Sequence, residues 1–161
     1  MRTRKIPRRS LALAVAALAA LPAAALTSPA QAATGAPPVG FVELPSSPVP
    51  SDHGKRVFTV TYRNDASTDR TVAPQILVES PERGPYLDPS DIRLEVLAPD
   101  GHWRTMPLAS QTGTLYTRLT PAKVVLHGHH TLTGRYRLTV VGTLLGTVGR
   151  GTIEPRVALY A

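Results

Sequence analysis

The feature that most constrains this chain is an alternation of apolar and polar side chains with a period of two residues. Phe58, Val60 and Tyr62 alternate with polar neighbours, and residues 92–96 repeat the pattern as Ile-Arg-Leu-Glu-Val. Side chains two positions apart share one face of a β-strand, so each segment predicts a strand with one apolar face. Apolar faces must pack against each other to exclude water, and the alternation therefore predicts layered β-sheets.

Turn-forming residues separate further segments of the same kind. Strands are predicted over residues 39–44, 57–63, 72–79, 92–108 (a hairpin), 114–119, 123–126, 134–141 and 152–160. Asp100-Gly101, between two alternating runs, is typical of a hairpin turn. Trp103, the only tryptophan, follows on the return strand, where a ring of its size is expected to anchor the core. Pro74 cannot donate a ladder hydrogen bond and is expected at an edge or a bulge.

The remaining patterns favour an all-β fold. Beyond the first 32 residues, no window shows apolar residues at helical spacing with a capping residue at its start. Several short strands separated by turn signals are typical of a sandwich or a barrel. The 161-residue chain contains no cysteine, so burial of apolar surface must stabilise the fold without disulfides. The glycines between residues 142 and 151 predict a mobile loop before the last strand.

The first 32 residues predict a cleavable signal peptide. A basic, acid-free stretch over residues 2–9 precedes the apolar segment Leu11–Leu21, and Ala30-Gln31-Ala32 supplies the small residues of a cleavage site. The apolar stretch contains Pro22 and is too short to span a bilayer. Arg8-Arg9 leaves both the general secretory and the twin-arginine routes open. We therefore expect a secreted, extracellular protein.

The predicted organisation has three parts. A cleavable signal helix covers residues 1–32, a Pro/Ala-rich flexible leader covers residues 33–51, and one folded domain covers residues 52–161. Five of the 18 basic residues lie in the signal, which leaves 13 basic against 11 acidic residues in the remainder. A balance this even does not indicate a nucleic-acid-binding protein. We expect no nucleic-acid partner and no membrane association after cleavage.

Two segments carry a resemblance to a known family. Residues 58–64 (Phe-Thr-Val-Thr-Tyr-Arg-Asn) and 134–140 (Gly-Arg-Tyr-Arg-Leu-Thr-Val) resemble the early and late strands of bacterial extracellular immunoglobulin-like domains, as in small secreted proteins of unknown function. The resemblance covers about residues 55–160 and implies an immunoglobulin-like antiparallel β-sandwich. In such a domain Tyr136 resembles the tyrosine corner, whose hydroxyl bonds back to the backbone.

One segment departs from that family. Its members usually enter the late strand through Pro-Gly, whereas this chain has His127-Gly128-His129-His130. Closely spaced imidazoles bind transition metals, so His127, His129 and His130 are the candidate metal ligands. On an extended chain, His127 and His129 would point the same way and His130 the opposite way. Two ligands fall short of a typical catalytic zinc site, and a turn between strands is the favoured interpretation.

Other polar groupings are interpreted first as structural. Asp100, His102 and Ser110 lie near one another but lack a nucleophile turn, so Asp100 is expected to form the hairpin turn. The acid pairs Asp65 with Asp69 and Asp88 with Asp91 lack the dense oxygen spacing of a calcium loop. The candidates for a carbohydrate-stacking surface are Tyr86, Tyr116 and Tyr160.

These observations predict a secreted, non-catalytic binding or structural module that requires no cofactor. Its expected partner is an extracellular protein or a cell-wall polysaccharide, and its oligomeric state stays open. The alternative is a secreted metal-binding protein or enzyme that uses His127, His129 and His130. A secreted inhibitor acting through a loop such as residues 82–88 is a third hypothesis.

Overall fold

The chain forms two antiparallel β-sheets that pack together as a sandwich. A computed structural model describes residues 36–50, 53–80, 86–119, 123–141 and 151–161. The strands are β1 (Gly40–Glu43), β2 (Ser47–Pro48), β3 (Lys55–Arg63), β4 (Arg70–Glu79), β5 (Ile92–Leu97), β6 (Trp103–Met106), β7 (Leu108–Gln111), β8 (Thr114–Thr117), β9 (Val124–Leu126), β10 (Thr131–Val140) and β11 (Thr152–Tyr160). The all-β prediction is therefore confirmed. The predicted signal peptide and the glycine loop over residues 142–150 lie outside the described residues.

Sheet A contains seven strands and sheet B contains four. In sheet A the order is β1-β11-β4-β8-β7, with β2 also pairing with β11 and β9 also pairing with β4. In sheet B the order is β3-β10-β5-β6. Among the described residues no helix has the length and hydropathy needed to cross a membrane.

The core lies between the sheets and contains the predicted inward positions of β3 and β5. Its main cluster contains Val49, Val60, Ile76, Val78, Leu87, Ile92, Leu94, Leu115, Tyr136, Leu138, Val140 and Ile153. A second cluster contains Tyr62, Val72, Leu126 and Val157. Because Val60, Leu94 and Tyr136 are all buried, the two-residue alternation correctly assigned the inner faces.

Part of the predicted leader belongs to sheet A. Strand β1 pairs with β11, and this strand matches the short strand predicted over residues 39–44. Strand β2 also pairs with β11, and Val49 directly after it is 2% exposed. Residues 40–49 therefore differ from a flexible leader, because Val49 contributes to the core and both short strands extend the sheet.

Pro74 lies in a central strand, so its predicted place at an edge or a bulge is wrong. One side of β4 pairs with β11, while its other side pairs with β9 at residues 70–72 and with β8 at residues 77–79. Pro74 falls in the gap between these two partners. Ile76 directs its N–H to that same side, where it donates to Thr117 Oγ1 at 3.0 Å. The missing donor of Pro74 therefore costs no ladder bond.

The predicted hairpin forms, but Trp103 does not anchor the core. Gly101 has a φ of 81° and its N–H donates to the Ala98 carbonyl at 2.9 Å. The register pairs Leu97 with Trp103, and both positions point away from the other sheet because Leu94 and Val96 point towards it. Trp103 is therefore half-buried on the outer surface, with the Arg137 guanidinium 4.5 Å above its ring. The turn length determined this outcome, since it fixes the face of every residue on β6.

Tyr136 is buried, yet it lies mid-strand and does not form a tyrosine corner with the described residues. Its ring stacks on Phe58 at a centroid distance of 5.6 Å and covers Gly134, where a Cβ would lie 2.8 Å from the ring. Burial raises the pKa of its hydroxyl. Within the described ranges no hydrogen bond runs from this hydroxyl to the backbone. The residue acts as a packing element that fills the space over a strand glycine.

Candidate functional site

Residues 127–130, here called the histidine turn, form a tight turn between β9 and β10. His129 has a φ of 59°, and the His130 N–H donates to the His127 carbonyl at 3.1 Å. The extended geometry on which the ligand directions were based is therefore wrong. The rings of His127 and His130 lie edge to face, with centroids 5.7 Å apart.

The histidine turn binds the preceding β3–β4 turn through Asp69. His127 Nδ1 lies 2.9 Å from Asp69 Oδ2, and the Gly128 N–H donates to Asp69 Oδ1 at 3.2 Å. These bonds, together with the nearby imidazoles, hold the pKa of Asp69 below its usual value. Within the described ranges, no three His, Cys, Asp or Glu side chains are grouped to hold a metal ion. Asp69 therefore joins the β3–β4 turn to the histidine turn through two hydrogen bonds.

We expect Asp69→Asn to flatten the loss of stability at acid pH. Because the folded-state pKa of Asp69 is lowered, its ionised form stabilises the fold above the unfolded-state pKa, near 3.9. That contribution is lost as pH falls through the folded-state value. Thermal unfolding is measured between about pH 6 and pH 2. The melting temperature should fall less over this range in Asp69→Asn than in the wild type. The matched control is Asp65→Asn, whose carboxylate pairs with Arg63 at the surface. Profiles of Asp69→Asn and wild type that superimpose would contradict the assignment.

The other predicted acidic groups form turns. Asp100 accepts from the His102 N–H at 3.0 Å and pairs with Arg104 Nη2 at 2.6 Å, and within the described residues it makes no hydrogen bond to Ser110. In the segment just before β5, Asp88 Oδ1 accepts hydrogen bonds from the N–H and the hydroxyl of Ser90, at 2.9 and 2.7 Å. These bonds lower the pKa values of Asp88 and Asp100. Both acids therefore hold local backbone in place, as expected for turn residues.

Two of the three predicted aromatic candidates lie on the outer face of sheet A. Tyr116 and Tyr160 occupy outward positions on β8 and β11, since their neighbours Leu115 and Leu159 face the two core clusters. The Tyr160 ring is covered by Lys123 Nζ at 3.9 Å. Tyr86 is 62% exposed and packs against the β7–β8 turn at Gly113.

Tyr116 lines a concave groove on the outer face of sheet A, here called the sheet A groove. The groove has a volume of about 350 Å³. Its lining consists of Gln75, Leu77, Glu79, Gln111, Thr112, Thr114, Tyr116 and Arg156. These residues come from four neighbouring strands and the β7–β8 turn.

The polar side chains on the floor of this groove are fixed by hydrogen bonds. Gln75 is 5% exposed; its Nε2 donates to the Thr117 carbonyl at 2.9 Å and its Oε1 accepts from Arg156 Nε at 2.7 Å. The Arg156 guanidinium also stacks over the Phe41 ring at 3.9 Å. An arginine held on two sides presents its remaining donors in a fixed direction.

The rim of the groove carries an acidic residue and a strained one. Glu79 lines the groove, and its charge contributes to raising the pKa of Glu154 on the adjacent strand, although burial is the larger cause. Thr112 has a φ of 47°, a left-handed conformation that β-branched residues rarely adopt. Asparagine or glycine would adopt the same turn with less strain. Backbone strain of this kind clusters at functional sites, so the β7–β8 turn is a candidate part of the site.

Sequence reasoning found Tyr116 but missed Gln75 and Arg156. The available signal was a glutamine in the otherwise apolar run of residues 72–78, at a position where the alternation directs the side chain outward. Its partner Arg156 lies 81 residues further along the chain. Only the pairing of β4 with β11 brings the two together.

The fold places the chain among the β-sandwich proteins. Comparison with protein-family models and with curated proteins finds no match to this chain.

Proposed function

We propose that this chain is a secreted, non-catalytic binding module of the immunoglobulin-like type, and that the sheet A groove binds a saccharide of an extracellular polymer. The observation that carries the proposal is the combination of one aromatic ring with fixed, planar polar side chains in a concave site. Sugars present apolar C–H faces that pack on aromatic rings and hydroxyls that need paired donors and acceptors. Tyr116 supplies the first requirement. Glu79 and Arg156, which Gln75 holds in place, supply the second.

Pre-organisation supports binding in this groove. The bonds that join Gln75 to Thr117 and to Arg156 are present before any ligand arrives. A ligand would therefore bind without the entropy cost of ordering these side chains.

The number of carboxylates in the groove favours binding over hydrolysis. Among the described lining residues only Glu79 has a carboxylate, whereas glycoside hydrolysis uses a pair of carboxylates. The alternative function, metal binding through the histidine turn, has no supporting three-ligand group within the described residues.

The test measures binding of residues 33–161, the chain without its predicted signal peptide, to insoluble peptidoglycan, cellulose and chitin and to soluble dextran. We expect at least one of these polysaccharides to bind, and Tyr116→Ala to weaken that binding by about tenfold, on the order of 1.4 kcal/mol. The matched control is Tyr160→Ala, on the same face but outside the groove. Retained binding in Tyr116→Ala, or no binding by the wild-type domain to any of the four, would refute the proposal.

A further inference from the structure

The outer face of sheet B is strongly basic although the domain as a whole is nearly neutral. Outward positions follow from the buried positions between them, as on β10, where Tyr136 and Leu138 face the core. The basic residues at outward positions are Lys55, Arg63, Arg93, Arg135 and Arg137. Glu95 is the only acidic residue at the outward positions of β3, β10, β5 and β6, the four strands of sheet B. We call this surface the basic face.

Charge is distributed unevenly between the two outer surfaces of the sandwich. The outer face of sheet A carries three glutamates, Glu43, Glu79 and Glu154, together with Arg156 and with Lys123 over the Tyr160 ring. The even balance of the composition therefore conceals an excess of positive charge on the outer face of sheet B. Gathering like charges on one face costs repulsion, which a ligand of opposite sign would relieve.

The basic face combines one fixed cation with several that extend into solvent. Arg137 donates to both oxygens of Glu95, each at 2.7 Å, and its guanidinium covers the Trp103 ring. Within the described ranges Lys55, Arg93 and Arg135 have no acidic partner at ion-pair distance. In the register, Thr139 pairs with Lys55 on one side and with Arg93 on the other. Adjacent strands lie about 4.8 Å apart, so these two cations flank a threonine across a span of roughly 10 Å.

We infer that the basic face binds an anionic polysaccharide, as a second site that is independent of the sheet A groove. Charge complementarity selects a polyanion. The outward threonines Thr59, Thr61, Thr133 and Thr139 add hydroxyl donors and acceptors between the cations, which suits a polymer rich in hydroxyl groups. Stacking of nucleic-acid bases would need an open aromatic ring, and the Trp103 ring is already covered by Arg137.

The test titrates the domain with polygalacturonate and with neutral dextran at about 0.01 M and about 0.15 M NaCl, where the Debye length is roughly 30 and 8 Å. We expect polygalacturonate to bind at low salt, more weakly at higher salt, and with greater affinity than dextran. Arg93→Gln/Arg135→Gln should lose at least about tenfold in affinity, or 1.4 kcal/mol. The control Arg70→Gln/Arg118→Gln removes the same net charge from exposed positions outside sheet B and should lose less than about threefold.

Three results would overturn the inference. Equal losses in the two double variants would show a response to net charge alone. Absence of polygalacturonate binding at low salt would exclude the site. Tighter binding of single-stranded DNA, poly-glutamate or anionic lipid vesicles at equal charge concentration would assign the face to another class of partner. Tyr116→Ala, which tests the groove, should leave polygalacturonate binding unchanged, so the two proposals can fail separately.

Discussion

Replacing Asn64 with leucine is expected to lower the free energy of unfolding by about 3–5 kcal/mol. Asn64 is 0% exposed and occupies the junction between the β3–β4 turn and the histidine turn. Its Nδ2 donates to the carbonyls of Thr68, Leu126 and His127 at 2.9, 3.1 and 3.2 Å, and its Oδ1 accepts from the Ala66 N–H at 3.2 Å. Leucine keeps the volume but removes all four bonds, and among them is the buried bond to the Leu126 carbonyl.

The measurement for Asn64 is equilibrium unfolding in denaturant, with the slope of the transition checked for constancy. The matched control is Asp65→Leu, one residue along the chain, whose carboxylate makes an exposed ion pair with Arg63. That variant should change stability by less than about 0.5 kcal/mol. A cost below about 1 kcal/mol for Asn64→Leu would show that the side chain does not fasten the two turns.

Gly128→Ala is expected to destabilise the domain by about 2–3 kcal/mol. A Cβ at this position would lie 2.6 Å from the carbonyl carbon of Ser67 and would overlap the carbonyl oxygen. The obstacle is backbone rather than a side chain that could rotate, so the two turns would have to separate. The Gly128 N–H, which donates to Asp69 Oδ1, would move with them.

The control for Gly128→Ala is Gly40→Ala in β1, where a Cβ would meet no atom within 4 Å. Alanine suits a strand better than glycine, so this variant should be neutral or stabilise by up to about 1 kcal/mol. Thermal and denaturant unfolding of both variants gives the comparison. Equal stability changes for Gly128→Ala and Gly40→Ala would contradict the close approach of the two turns.

Both predictions concern a junction that the sequence indicated only in part. The histidine turn was recognised as a departure from the Pro-Gly of similar domains, and its imidazoles drew attention to metal binding. The glycine between them proved to be the constrained residue, because it contacts residues 66–67. Nothing local to residues 127–130 shows that contact, since the partner turn lies about sixty positions earlier.

Alternation predicted more of the fold than of the site. It assigned the inward residues of β3, β5 and β10 correctly, because burial on one face of a strand is a local pattern. It failed at Trp103, whose face depends on the length of the preceding turn, and at Pro74, whose position depends on where β8 ends and β9 begins. These outcomes depend on register and strand order, which a single strand does not encode.

The functional surfaces were hidden for the same reason. The sequence alone does not link Lys55, Arg93 and Arg135. The strand order β3-β10-β5 brings these three exposed residues onto one face. Gln75 and Arg156 become a pair only when β4 and β11 are neighbours. Net charge, which suggested an even balance, could not reveal the excess of positive charge on the outer face of sheet B.

The most direct test of saccharide binding in the sheet A groove is an amide chemical-shift titration of the isotope-labelled domain with soluble fragments of the polysaccharide that it binds. We predict that the largest shifts fall at Gln75, Thr112 and Tyr116 and on the outward positions of β11, while the histidine turn stays unchanged. Shifts confined to residues 127–130, or spread evenly over both sheets, would contradict binding in the groove.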